Sequence, residues 1–130
     1  MSDFSRALTV SSSGLEAQAT RLKHLSENIS NADTPGYRRK TISFDTVLNR
    51  DSQVSTVEPG RVRLDNAELE KIHDPGHPLA DETGHYDGSN VDLLIELADA
   101  REAQRSYEAN LKIFEQTRKM SSGLMDLLRR

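Results

Sequence analysis

The chain has no cysteine and no tryptophan, and aromatic residues fill only 5% of its 130 positions. Without cysteine there is no disulfide framework and no thiolate chemistry. That absence suits an oxidising and a reducing compartment equally, so it places the protein in neither. Apolar residues are also sparse, 35% against 29% charged. A closed globule of this length carries more large apolar side chains. Part of the apolar surface is therefore expected to be completed by other chains. Long hydrophobic runs are missing too. No window approaches the roughly 20 apolar residues of a membrane span, and MSDFSRALTVSSSGL lacks the apolar core of a secretory signal. If the protein leaves the cytoplasm, the expected route needs no cleaved signal peptide. Finally, positive charge is lacking: the net charge is −4 and the pI about 5.5. Nucleic acid is not an expected partner, because its phosphates require a concentrated positive field.

What is present falls into three segments. Residues 3–33 read as one helix. Leu8, Leu15, Leu22 and Ile29 are spaced seven apart, with Phe4, Leu25 and Ala32 on the same stripe, the seam of a coiled coil. Ser11-Ser12-Ser13-Gly14 weakens its middle, since glycine alone costs roughly 1 kcal/mol against alanine. The helix is expected to form only when packed. Thr34 precedes a proline, which pushes it out of the helical region, and Pro35-Gly36 fits the centre of a type II turn. Residues 37–89 differ. Ile42, Phe44, Thr46 and Leu48 alternate with other residues, as do Val62 and Leu64, predicting one or two short strands. NRDSQVSTVEPG and HDPGHPLADETGHYDGSN read as polar, turn-rich connections. Residues 90–129 predict a second long helix, capped by Ser89 or Asn90. Its heptad seam includes Leu93, Leu97, Tyr107, Leu111, Phe114, Met125 and Leu128. A second apolar strip (Leu94, Ile113, Met120, Leu124, Leu127) lies off that seam. One partner helix from a thirty-residue segment cannot cover both, which predicts a multi-chain bundle. The fold class is mainly α: long N- and C-terminal helices packing as a coiled-coil-like bundle, with a small extended or β-hairpin middle. The divisions are 1–36 for the N-terminal helix, 37–89 for the arm and loop segment, and 90–130 for the C-terminal helix.

No chemistry converges. His73, His77 and His85 lie among Asp74, Asp81, Glu82 and Asp87, and His–carboxylate mixtures suit zinc or iron. Prolines and glycines intervene, and no two histidines fall at i,i+4 of a helix. A proline-punctuated polar loop is the better reading, and no metal is expected. No phosphate-cradling loop or nucleophile elbow is present. Tyr37-Arg38-Arg39-Lys40 has too few charges for nucleic acid in an acidic chain, and reads as a solvated or acidic-partner-facing patch. No catalytic residue, cofactor or small-molecule substrate is expected. Two other classes are a soluble coiled-coil adaptor and a metal-dependent enzyme using the histidine loop.

SENISNADTPGYRRKTISF resembles the N-terminal signature of the bacterial flagellar axial proteins, with its Asn-Ala-x-Thr-Pro-Gly-Tyr core at Asn31 to Tyr37. DPGHPLADETG and RSYEANLKIFEQTRKM resemble the corresponding stretches of a proximal rod protein. YDGSNVDLLIEL is closer to the pattern of a sister rod protein, with His85 after Gly84 and Ser89 in place of a proline. The resemblance covers nearly the whole chain. It implies a non-enzymatic subunit that stacks helically around a central channel, forming the hollow drive shaft between membrane ring and hook. Terminal helices would pack as an inner tube, with the middle segment outside as an arm. The implied partners are the proximal and distal rod subunits, the rod-to-membrane-ring adaptor, the export gate and the flagellar type III export apparatus. The implied location is the basal-body rod crossing the periplasm. Subunit contacts are expected at Phe4, Leu8, Leu15, Leu22, Leu25 and Ile29 of the first helix, and at Asn31, Pro35, Gly36 and Tyr37 of the turn. The second helix is expected to add its seven seam residues from Leu93 to Leu128. FSRAL also resembles a short export element, although one helical turn gives Phe4 and Leu8 the same spacing.

Overall fold

The computed structural model describes residues 2–130. Two long helices form the ends of the chain and two antiparallel hairpins occupy the middle. This is the mainly helical architecture with a small β middle that the sequence predicts.

Helix α1 spans Asp3–Ser30. Ser2 caps it, its hydroxyl accepting from the Ser5 amide at 3.1 Å, and Asp3 sits at the positive end of the helix dipole. The helix stops three residues before the predicted Asp33. The Asn31 side chain donates to the Glu27 carbonyl at 2.8 Å, which satisfies a carbonyl of the last turn. The Tyr37 amide then donates to the Thr34 carbonyl at 3.1 Å, with φ of 75° at Gly36. Pro35-Gly36 thus occupies the centre of a type II turn, as predicted, and glycine supplies the positive φ.

Strands β1 (Lys40–Asn49) and β2 (Val54–Leu64) form one long hairpin, with Lys40 opposite Leu64 and Asn49 opposite Val54. This corrects the reading of NRDSQVSTVEPG as a connection. Only the tip at 50–53 turns, and Val54, Thr56 and Val57 supply β-branched residues that suit a strand. Pro59 is tolerated because β2 pairs only with β1, and the register shifts beside it between Ile42 and Phe44. The stretch read as pure loop also holds regular structure. Strand β4 (His85–Asp87) lies within it and pairs with β3 (Lys71–His73), which ends at its first residue. Helix α2 spans Leu93–Leu128 and is capped by Asp92, whose carboxylate accepts from the Leu94 amide at 3.0 Å. Ser89 and Asn90, the expected caps, are engaged elsewhere. The Ser89 hydroxyl donates to the Ala32 carbonyl, and the Asn90 amide donates to the carbonyls of Asp65 and Ala67.

Helix α1 packs along α2, and β2 lies against α1. The two helices meet through small and polar residues. Ser11, Ala17, Leu25 and Asn28 are buried on α1, Glu96 and Ala103 on α2. At the closest approach, a Cβ on Gly14 would lie 2.9 Å from the Asn110 side-chain oxygen. The predicted α2 seam splits accordingly. Tyr107 and Phe114 are half-buried toward α1, whereas Leu93, Leu97, Leu111, Met125 and Leu128 are exposed in the single chain. Of the α1 stripe, Leu25 is buried, and Phe4, Leu8, Leu15, Leu22 and Ile29 are half-buried.

The close approach is testable. Gly14→Ala should be nearly neutral: the Asn110 amide swings aside, and alanine recovers about 1 kcal/mol of helix propensity. Gly14→Leu should force the helices apart and lower stability by about 1–3 kcal/mol. Urea unfolding followed by circular dichroism distinguishes them, and an unchanged midpoint for the leucine variant refutes the contact.

Candidate functional site: a buried polar clasp beside an uncovered helix face

Asn28, in the last turn of α1, is wholly buried. Its amide nitrogen donates to the Lys40 carbonyl at 2.9 Å and to the Glu96 carboxylate at 3.2 Å. Its amide oxygen accepts from the Tyr37 hydroxyl and the Lys40 amide, both at 2.9 Å. Every polar atom of this side chain is therefore engaged, as burial demands. One residue joins the end of α1, the turn after it, the root of β1 and the start of α2.

Glu96 is wholly buried as well. The Arg39 Nε donates to it, and the same guanidinium reaches Asp99 at 3.2 Å and Asp65 at 3.7 Å. Burial works against the Arg39 charge. The bond to Glu96 and the fields of Asp99 and Asp65 outweigh it, so the guanidinium is held more firmly protonated than usual. Burial raises the Tyr37 phenol above its ordinary value, which keeps the proton it donates to Asn28. Around this centre, the Arg39 amide donates to Asn90 at 2.6 Å. Lys40 pairs with Glu27 at 2.7 Å, and that bond holds the Glu27 carboxyl below its usual range. Arg38 donates to the carbonyls of Asp65 and Ala67, each at 3.2 Å.

The sequence patch Tyr37 to Lys40 is thus used inside the chain, where it ties the hairpin root to both helices. Sequence reasoning missed Asn28, Asn90 and Glu96. Asn28 lies in SENISNADTPGYRRKTISF and Asn90 and Glu96 in YDGSNVDLLIEL, but Asn90 reads there only as a helix cap, and Asn28 and Glu96 are 68 residues apart. Asn31 and Tyr37 are half-buried at the turn, with Pro35 and Gly36 exposed beside them. The Gly36 amide donates to the carbonyls of Asp87 and Gly88, which docks the turn on the β3–β4 hairpin.

The histidines serve that small hairpin. His73 and His85 are cross-strand partners with ring centroids 4.7 Å apart, and His77 stacks on Tyr86 at 3.9 Å. One Asp81 oxygen accepts from the Thr83 amide and hydroxyl and from the His85 amide. Among the described residues no three His, Cys, Asp or Glu side chains gather around one point, and no described helix is long and apolar enough to cross a membrane.

Opposite the clasp side of α2 lies a run of uncovered apolar residues. Leu94 is 79% exposed, Ile113 54%, Met120 56% and Leu127 66%. So many large apolar side chains uncovered along one helix mark contact with other molecules.

Two clasped terminal helices with an uncovered apolar face define a subunit of an assembly rather than a solitary globule. Comparison with known proteins gives the assembly. Residues 8–38 match the family model described as flagella basal body rod protein, and residues 82–127 match that of the flagellar basal body rod FlgEFG protein C-terminal region. The chain is 45% identical to the flagellar basal-body rod protein FlgC of Agrobacterium fabrum, over 99% of this chain and 98% of the relative. It is 32% identical to FlgC of Bacillus subtilis (93% of this chain, 95% of the relative) and 30% to FlgC of Salmonella typhimurium (85% and 87%). The chain belongs to the FlgC family of flagellar basal-body rod proteins, and it is a structural rod subunit of the flagellar basal body. Similarity over essentially the full length closes the reading as a sister rod protein, although YDGSNVDLLIEL favoured it. The free adaptor gives way with it.

Proposed function

We propose that this chain builds the proximal rod as one component of a hetero-oligomeric helical assembly. The helices within 1–36 and 90–130 form its inner, tube-lining layer, and 37–89 forms an outer arm. The assembly is a hollow shaft that transmits torque and conducts exported subunits, and the chain itself performs no catalysis. Its neighbours are the proximal and distal rod subunits, the rod-to-membrane-ring adaptor and the export gate. It reaches the periplasm through the flagellar type III apparatus.

The single observation that carries this reading is the uncovered apolar surface of α2, where Leu94, Ile113, Met120 and Leu127 opposite the clasp and the seam residues Leu93, Leu97, Leu111, Met125 and Leu128 are all exposed on the folded chain. The clasp supports it from the other side. It orders the arm root and both helices as one body, so that load on the arm reaches the inner layer through Arg39 and Asn28.

The test is a deletion of the chain's gene followed by complementation. Cells lacking it should export no hook protein into a finished structure, should not swim, and should yield basal bodies that end at the membrane ring. The restored chain should co-purify with the rod. Complete rods in the deletion strain overturn the proposal.

A further inference from the structure

The β1–β2 hairpin has two edges, and the fold guards only one of them. The direction of each backbone group follows from the register. The Lys40 amide and carbonyl both meet the Asn28 side chain at 2.9 Å, so at this residue β1 turns its hydrogen-bonding side away from β2. Successive residues of an antiparallel strand alternate in this respect, so Ile42, Phe44, Thr46 and Leu48 turn outward as well. The bulge leaves this phase intact, because the extra residue is on β2, where Gly60 and Arg61 oppose Ser43 alone. Val57 agrees with it. This residue stands opposite Thr46, and its amide donates to the Ser13 hydroxyl of α1 at 3.2 Å rather than to β1.

On the β2 side the outward edge is closed. Ser13 takes the Val57 amide, and Pro59 has no amide to offer. On β1 nothing comparable stands guard. The outward amides and carbonyls of Ile42, Phe44, Thr46 and Leu48 meet no backbone partner among the described residues. Thr41 to Asn49 contains no proline and no basic residue, and its one carboxylate, Asp45, projects from the opposite face. Folded proteins blunt such edges with proline, lysine or a covering element, because an open edge recruits another strand. The side chains of Ile42, Phe44 and Leu48 share a face with Val62 and Leu64, and all but the half-buried Ile42 are exposed. A lone two-stranded hairpin is marginal in water, whereas a sheet of more strands with one apolar face is stable.

We propose that β1 of the free chain pairs antiparallel with β1 of a second copy. The result is a four-stranded sheet in the order β2–β1–β1–β2, with the apolar residues of both hairpins on one face. The register is centred on Thr46. There Thr46 lies opposite its own copy, Phe44 opposite Leu48, and Asp45 opposite Val47. A centre at Asp45 would set two carboxylates face to face. A centre at Phe44 would run the second strand into the end of α1, where Asn28 already occupies the edge at Lys40. Such a pair is isologous and closed, so it is a state of the unassembled chain, and incorporation into the rod opens it. The inference goes beyond the rod reading and does not depend on it.

The experiment uses the purified chain. Sedimentation velocity should show a concentration-dependent dimer over about 1–100 μM, as suits a small interface. Thr46→Lys and Thr46→Glu each set like charges face to face across the two-fold axis, and each should weaken the dimer severalfold. An equimolar mixture of the two should restore it. Thr46 is exposed in the single chain, and circular dichroism checks that each variant is folded. Because the chain has no cysteine, a single introduced one is a clean probe. Thr46→Cys should cross-link under mild oxidation severalfold faster than Ser55→Cys, which lies on the far strand. If a charged variant does not fold, the two cysteine variants decide alone. A monomer throughout the concentration range overturns the proposal. So does a dimer that both charged variants leave intact, which would assign self-association to the uncovered surface of α2. A mixture no better than its components, or Thr46→Cys cross-linking no faster than Ser55→Cys, overturns it too.

Discussion

Arg39→Ala is expected to destabilise the folded chain by about 3–5 kcal/mol, the range seen when one partner of a buried ion pair is removed. The reason is Glu96. Its carboxylate is wholly out of water and relies on Arg39 for its counter-charge, the Asn28 amide being its only other side-chain partner among the described residues. Removing the guanidinium leaves an uncompensated charge and also takes a partner from Asp65 and from Asp99, which keeps Arg21 at 4.0 Å. Domains have only about 5–15 kcal/mol in total, and here few side chains are buried around that site. Arg39→Lys should recover only part of the loss, since an ammonium cannot present the planar fork that reaches three carboxylates at once. Glu96→Gln should be milder than Arg39→Ala, because it removes the buried charge while Arg39 keeps Asp99 and Asp65. Urea unfolding of the purified chain gives the three values. Equal midpoints for Arg39→Ala and wild type would show that the clasp does not hold the fold.

The Pro35-Gly36 turn and the two long helices were legible because their signals are local. Leucines seven apart and a proline–glycine pair constrain the backbone without reference to anything distant. The side of each helix that faces inward was not legible. Leucine periodicity shows that a stripe will be covered, but not by which body. In this chain the intrachain contact uses Ser11, Gly14, Ala17, Ala103 and Asn110, which let the helices approach closely. The leucines at 97 and 111 are left exposed at its margin. The clasp was hidden for a related reason. Asn, Arg and Glu are mostly exposed in folded proteins, so nothing local distinguishes Glu96 from the solvated Glu102 or Glu108. Its burial follows from contacts 57 and 68 residues away in the chain. The extent of β2 was obscured by Pro59-Gly60, which breaks the alternation just where the register shifts.

Leu111→Asp is expected to abolish rod incorporation while leaving the isolated chain folded. The residue lies at the margin of the α1 contact and is 36% exposed, so in the single chain an aspartate there still reaches water. On the assembled subunit, by contrast, the proposed neighbour covers that face. The substitution then forfeits the burial of a leucine, about 1.5–3 kcal/mol, and adds the larger cost of drying an unpaired carboxylate. Even about 3 kcal/mol weakens one contact by more than a hundredfold. The loss recurs at every copy in the array. Leu97→Asp, two heptads earlier on the same seam and 50% exposed, should behave alike. Lys112→Asp serves as the comparison, because it alters charge at the neighbouring position without removing an apolar contact. Three readings are needed together: soft-agar motility, chain in the culture medium, and chain in isolated basal bodies. The expected pattern for Leu111→Asp is normal secretion, no incorporation and no swimming, with a urea midpoint close to wild type. A variant that incorporates and swims normally would mean that this face of α2 stays wet in the rod, and the inner-layer assignment of the helix would have to be abandoned.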